Sequence, residues 1–270
     1  MHIKINQVIS KILAIMLVLS IFSCLLFAYG CNKKQEIIIL HAGGGYDNLT
    51  YLNAQETFTY YYNQGYRYFE YDLQLSTDGK LIGTHAWEHL ETKYPSTILY
   101  EDFKNFKLQN GFTPVNEEWL MEIIQNYPDI KIIVDAKADT IENDVLILQR
   151  IEQLETIYNY DLSSNIIPEI FSKEMWETAK QTTSFNQYLF SHYKIYYSVE
   201  QILEYFNDEL IWGISLPNNC DSYFRSQLYR FKDANKKLFM FTPITTDEVL
   251  DCFNLGADGV YIDKLSILPW

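Results

Sequence analysis

Cysteine is scarce in this 270-residue chain: there are four, and only Cys220 and Cys252 fall beyond the first 35 residues. No pair has the short spacing of a zinc site. Two cysteines so far apart define no bridge without geometry, so both are expected to be free, mostly buried thiols. Basic residues are also few, 21 Lys and Arg against 35 Asp and Glu, for a net charge of -14. Each nucleic-acid phosphate that a protein neutralises needs a Lys or Arg, so extended contact with nucleic acid is not expected. The same charge repels phosphate-bearing substrates at long range, and a site for one therefore needs a cation inside it. There are five histidines, one of them His2. No internal repeat or low-complexity tract occurs.

What is present is apolar and aromatic surface: 48% hydrophobic residues, with 22 Tyr and 16 Phe, enough for a sizeable core. The chain divides into residues 1–35 and a folded part, residues 36–270. Lys4 and Lys11 precede a stretch from Ile12 to Cys31 without a charged residue, and Lys33 and Lys34 close it. About 20 apolar residues span a bilayer, whereas a cleaved signal core has about 7 to 15. The segment therefore reads as a transmembrane anchor, with a lipoprotein signal ending at Cys31 as the alternative. Either one tethers the folded part outside the cell at a membrane surface.

Beyond Gln35, short β-branched runs alternate with helical patterns. Strands are expected at Glu36–Leu40, Tyr66–Leu73, Leu81–Thr84, Lys131–Asp135, Ile166–Phe171, Gln187–Phe190, Ile211–Leu216, Lys237–Phe241 and Val260–Ile262. Helices fall between them, among them Asn53–Gln64, Glu142–Leu154, a stretch near Ser222–Phe231 and Thr246–Asn254. Near-continuous apolar strands alternating with helices predict an α/β fold, a TIM-type (β/α)8 barrel. An open doubly wound sheet is the alternative. Trp87–Gly111 fits no barrel unit and reads as an insertion over one end.

Glu70 and Asp72 lie two apart on a strand, so their carboxylates share one face. Two neighbouring buried carboxylates repel unless a proton or cation lies between them, and all-oxygen ligands favour Ca²⁺ or Mg²⁺ over zinc. A solvated polar strand face is the plainer reading. His41 closes the first strand and His85 the hairpin after the second, so both are expected at the same rim. Two imidazoles near their ordinary pKa can divide the proton transfers that a diester cleavage requires. Asp135 and Lys137 repeat the same-face spacing and offer a third oxygen ligand and a cation for phosphate, or else a surface salt bridge. Gly43-Gly44-Gly45 is either an anion-approaching run or a plain turn.

These residues, in this order, resemble the glycerophosphodiester phosphodiesterase family: His41, Glu70 with Asp72, Thr77-Asp78-Gly79, His85, Asp135-Ala136-Lys137, Phe241-Thr242, Gly256-Ala257-Asp258-Gly259 and Ile262-Asp263. The resemblance spans Ile37 to Asp263. It implies a TIM-type barrel, one divalent cation on Glu70, Asp72 and Asp135, Lys137 facing the phosphate, and His41 and His85 as general acid and base. The expected substrate is a small-molecule, lipid-derived or polymer-derived phosphodiester. Departures concern the substrate pocket. Ala42 stands for the usual Arg, Leu52 for Glu, Asp135 for Glu, Phe241 for Trp, and Ala86 for Asp, so glycerophosphocholine-type substrates are not expected to be preferred. Two rival readings are a phospholipase C or sphingomyelinase D-like lyase, and a non-catalytic protein that binds a phosphorylated glycan or head group.

Overall fold

The computed structural model describes residues 36–85, 98–108 and 111–269, with residues 16 and 20 besides. The anchor or signal expected over residues 1–35 lies almost wholly outside them, as does Ala86. Among the described residues no helix is long and apolar enough to cross a membrane.

One sheet contains β1 (Ile37–Leu40), β2 (Tyr68–Leu75), β3 (Leu81–Gly83), β4 (Lys131–Ala136), β5 (Ile166–Ile170), β6 (Tyr188–Ser191), β7 (Ile211–Pro217), β8 (Lys237–Phe241) and β9 (Gly259–Ile262). All except β3 run parallel to their neighbours, and β1 pairs with both β9 and β2. That closure makes an eight-stranded barrel and excludes the open doubly wound sheet. Strand β3 folds back antiparallel on the far end of β2.

Alternation along each strand divides the core in two. Ile37, Ile39, Ile133, Ile167, Leu189 and Phe239 pack with Tyr261 in one cluster. The intervening Ile38, Leu40, Ile132 and Val134 join the larger cluster under the helices. Burying each such side chain contributes roughly 1.5–3 kcal/mol. These helices are α1 (Gln55–Tyr62), α2 (Tyr100–Lys104), α3 (Glu117–Asn126), α4 (Ile141–Tyr158), α5 (Lys173–Thr182), α6 (Val199–Tyr205), α7 (Ser222–Ser226), α8 (Tyr229–Asp233) and α9 (Thr246–Asn254). Side chains of Asn116, Thr140, Ser172, Ser198, Asp221 and Thr245 cap six of them, at about 1 kcal/mol each.

Two expectations change. Helix α1 begins at Gln55 rather than Asn53, because Asn53 has a φ of 46° and Ala54 is extended; Asn53 is committed to the site instead. The stretch near Ser222–Phe231 is two short helices, since Gln227 and Leu228 interrupt the hydrogen-bond ladder. The expected insertion carries helix α2 and an apolar cluster of its own. In that cluster Ile98, Tyr100, Phe103, Phe106 and Leu108 pack on Leu52, Ala54 and Ile82. Both folded-part cysteines are free, Cys252 buried and Cys220 partly so.

Candidate active site

Strand register brings the acids together. β1 pairs with β2 up to Leu40 opposite Phe69, and β4 up to Ala136 opposite Leu73. Glu70 and Asp72 therefore stand at the barrel's carboxyl rim even though β2 itself runs on to Leu75 to meet β3. Asp135 lies directly beside Asp72 in register. All three side chains are buried, and one oxygen from each lies within 4.8 Å of the others. This burial excludes the solvated strand face.

The Lys137 ammonium contacts Asp135 and lies 3.1 Å from Asp72 Oδ1. The pair is an interior contact of the cage, so the surface salt bridge is excluded. One ammonium does not balance three carboxylates. Burial, then the charges of Asp72 and Asp135, hold Glu70 well above the ordinary carboxylate range, and burial raises Asp135 as well. Glu70 Oε2 accepts the Ala42 N–H at 2.7 Å, whereas buried Oε1 has no hydrogen-bond partner. An all-oxygen donor set with excess negative charge and an orphaned carboxylate oxygen fits a hard divalent cation.

The histidines arrive from neighbouring loops. β1 and β9 pair up to Leu40 opposite Ile262, which sets His41 beside Asp263. His41 Nδ1 lies 2.7 Å from Asp263 Oδ1, and Nε2 lies 3.9 Å from Glu70 Oε2. Nδ1–H donating to the carboxylate leaves Nε2 to accept a proton. Burial lowers the His41 pKa, but the Asp263 hydrogen bond and the charges of Asp72 and Asp263 outweigh it, and the net shift is upward. His85, just beyond β3, lines the same cavity as His41. Tyr51 stands edge-on to both imidazoles, with ring centroids 4.8 Å from His41 and 4.7 Å from His85.

The loop that supplies these contacts is conformationally expensive. Ala42, Asp47, Asn48, Tyr51 and Asn53 all have positive φ, at about 1–3 kcal/mol for each strained non-glycine residue. Three of them serve the site: the Ala42 N–H holds Glu70, Tyr51 contacts both histidines, and Asn53 binds Asp72. The glycine run is a packing turn. Gly44 and Gly45 donate to His41 and Asp263 carbonyls, and a Cβ on Gly43 would come 2.6 Å from the Tyr71 ring. At the positions where the resemblance implies Arg and Glu, Ala42 is fully buried and Leu52 packs with the insertion cluster.

A cavity of about 240 Å³ joins His41, His85, Glu70, Asp135 and Lys137. Its remaining wall includes Phe241, one of the pocket departures, and Glu169, Ser191, Ser215, Tyr193 and Tyr261, which were not anticipated from sequence. Tyr193 donates to Asp135 at 3.2 Å, and Tyr261 donates to Glu169 Oε1 at 2.5 Å. Burial, then the charge of Asp135, pushes the Glu169 carboxyl up to about 8. The available signal was the lone acid in the apolar run Ile166–Ile170.

No family model matches the chain, and no curated protein matches it in sequence. Solved structures do. A glycerophosphodiester phosphodiesterase from Thermotoga maritima is 20% identical over 85% of this chain and 95% of its own, with a TM-score of 0.66. One from Parabacteroides distasonis is 16% identical over 86% of this chain and 84% of its own, with a TM-score of 0.66. An Oleispira antarctica phosphodiesterase, solved in complex with the product sn-glycerol-3-phosphate, is 16% identical over 84% of this chain and 92% of its own, with a TM-score of 0.67. At these identities the likeness is one of fold: this chain has the (β/α)8 barrel on which these phosphodiesterases are built.

Proposed function

We propose that this protein is a metal-dependent phosphoric diester hydrolase of the glycerophosphodiester phosphodiesterase kind, releasing an alcohol and a phosphomonoester. The observation that carries the reading is the convergence of Glu70, Asp72 and Asp135 on one another, at a cavity that Glu70 and Asp135 line together with His41, His85 and Lys137. The barrel shared with known phosphodiesterases supports it.

Glu70, Asp72 and Asp135 would hold one divalent cation, Ca²⁺ or Mg²⁺. When bound, it supplies Lewis-acid polarisation of the phosphoryl oxygens. Lys137 places a positive charge beside the phosphate as negative charge develops there. One imidazole takes the proton of the attacking hydroxyl, and the other gives a proton to the departing alkoxide as its P–O bond breaks. Asp263 holds His41 in the tautomer that presents Nε2, and Tyr51 fixes the placement of both rings. The Ile12–Cys31 segment would hold this site at the outer membrane surface, as an anchor or a lipidated terminus, within reach of lipid-derived or polymer-derived diesters. The lyase and binding-protein readings remain the outcomes against which this one is tested.

The test is turnover of a generic aryl phosphodiester by the full chain in detergent, with Ca²⁺ or Mg²⁺, with chelator, and in Glu70→Ala and His85→Ala variants. Activity that requires the cation and falls at least a hundredfold in both variants supports the hydrolase. A folded, cation-binding protein without turnover would leave the binding-protein reading, and a cyclic phosphate as the end product would identify a lyase.

A further inference from the structure

A second cavity of about 230 Å³ lies at the carboxyl end of the barrel, between the loop after β6 and the loop after β7. It shares one side chain, Tyr193, with the catalytic cavity. The Tyr193 hydroxyl donates to Asp135 at 3.2 Å, while the same residue forms part of the second cavity's wall. A group bonded to a phosphate at the acid cage therefore has a single side chain to pass over. Rings make up much of the second cavity. His192 stacks on Phe224 of α7, with centroids 5.5 Å apart and planes 23° from parallel, and the Tyr196 ring lies 5.3 Å from the same imidazole. His192 Nε2 accepts the Tyr197 N–H at 2.7 Å, which leaves the proton on Nδ1 and the ring uncharged. Pro217 and Ile195 add aliphatic surface. Two of these side chains are held out in solvent, Ile195 at 43% exposure and Tyr196 at 71%. The loop that carries them is fixed at its end by the capping box of Ser198 and Gln201 on α6.

We infer that this second cavity is an accessory site for an uncharged alkyl or aryl group carried by one of the two alcohols of the diester. The inference rests on the phosphodiesterase reading and adds a substrate class to it. Ligand sites are concave and largely apolar with a few polar groups, and exposed apolar side chains gathered at one opening mark a binding surface. Charge narrows the class. Among the described residues that line the cavity none is Lys or Arg. Lys194, next to Tyr193, turns instead to the Phe171 ring and Asp144. Arg225 is spent on the Cys220 and Asn218 carbonyls and on Asp251. A second phosphate or a carboxylate therefore finds no counter-charge here. The acid of the lining, Asp221, accepts the Phe224 N–H as the cap of α7, so the surface left to a ligand is that of the rings, Ile195 and Pro217.

The experiment compares kcat/KM of the full, cation-loaded chain on three sn-glycerol 3-phosphate diesters whose second alcohol is ethanol, hexanol or choline. The chain is held in lipid nanodiscs, so that no detergent competes for the cavity. The hexyl ester is expected to exceed the ethyl ester at least tenfold, a modest share of what added methylenes yield in an apolar pocket. That ratio is expected to fall towards unity in the double variant Ile195→Ser, Tyr196→Ser, at two exposed positions whose replacement leaves the core intact. Equal values for the ethyl and hexyl esters in the wild type, or a ratio unmoved by the double variant, would overturn the accessory site and leave the phosphodiesterase standing. Preference for the choline ester over both would overturn it in favour of a cationic alcohol. Failure of all three diesters to turn over would remove the phosphodiesterase reading, and the accessory site with it.

Discussion

Asn53 and Asp72 hold each other through two hydrogen bonds: the Asn53 side-chain amide donates to Asp72 Oδ2 at 2.8 Å, and the Asp72 backbone N–H donates to Asn53 Oδ1 at 2.9 Å. The arrangement fixes which carboxylate oxygen of Asp72 faces the cage. Its cost is a left-handed backbone at Asn53, which asparagine tolerates better than most residues. Asn53→Ala is therefore expected to weaken Ca²⁺ or Mg²⁺ binding by about 10- to 100-fold. Calorimetric titration with the cation alone checks this, and unchanged affinity would remove Asp72 from the ligand set.

Tyr51 stands edge-on to both imidazoles from a left-handed backbone with a φ of 57°, and a positioning role for its ring is tested by substitution. Tyr51→Asn suits the left-handed conformation and deletes the ring. It is expected to lower kcat about tenfold or more with KM little changed, as for geometry lost at the reacting groups. The ring-proton resonances of His41 and His85 should both shift. Tyr51→Phe should stay close to wild type. Histidine resonances that do not move in Tyr51→Asn would contradict the positioning role.

Asp263→Asn tests the His41 tautomer. The amide can donate to Nδ1 and so stabilise the wrong tautomer. By analogy with other oriented histidines, kcat should fall by roughly 10²- to 10⁴-fold with the protein still folded. Steady-state kinetics of the cation-loaded enzyme is the measurement, and a loss confined to KM would argue that Asp263 serves substrate binding instead.

Glu169 gives a stability prediction for cation-free protein. Its carboxyl is pushed up to about 8 by burial first and the charge of Asp135 second, against about 4.3 in an unfolded chain. Between those values the folded state binds the extra proton, so this group's contribution to stability falls as pH rises. Glu169→Gln removes the loss while keeping an acceptor for Tyr261. Denaturant midpoints of wild type and variant should differ least at about pH 5, and the variant should gain on the wild type towards about pH 8.5. A difference independent of pH would mean that the carboxyl does not titrate in this range.

Much of the molecule was legible in the sequence. A strand such as Ile37–Leu40 is apolar at every position because both faces are covered, and the two-residue spacing of Glu70 and Asp72 fixes a common face whatever surrounds them. His41, His85 and Lys137 follow strand ends and Asp135 lies in the last two residues of one, and barrel topology gathers such positions at one rim. Less legible were the residues whose meaning comes from distant partners. Asn53 opened the expected helix Asn53–Gln64, which concealed the end of a strained loop; Tyr51, just before it, carried no assignment, and Glu169 was one acid among apolar neighbours. Leu52 and Ala42 were visible as departures from the resemblance, but only packing showed that both are buried.

The sequence by itself determined the alternation of strands and helices, the shared faces along each strand and the residue types able to hold a hard cation and move protons. These follow from local backbone period, which needs no partner. Only the tertiary structure decided the closure of β1 on β2, the contact of His41 with Asp263 across 222 positions, and the contact of Tyr261 with Glu169 on the cavity wall. Such contacts depend on register between strands, and register is set by the closed sheet and its core as a whole.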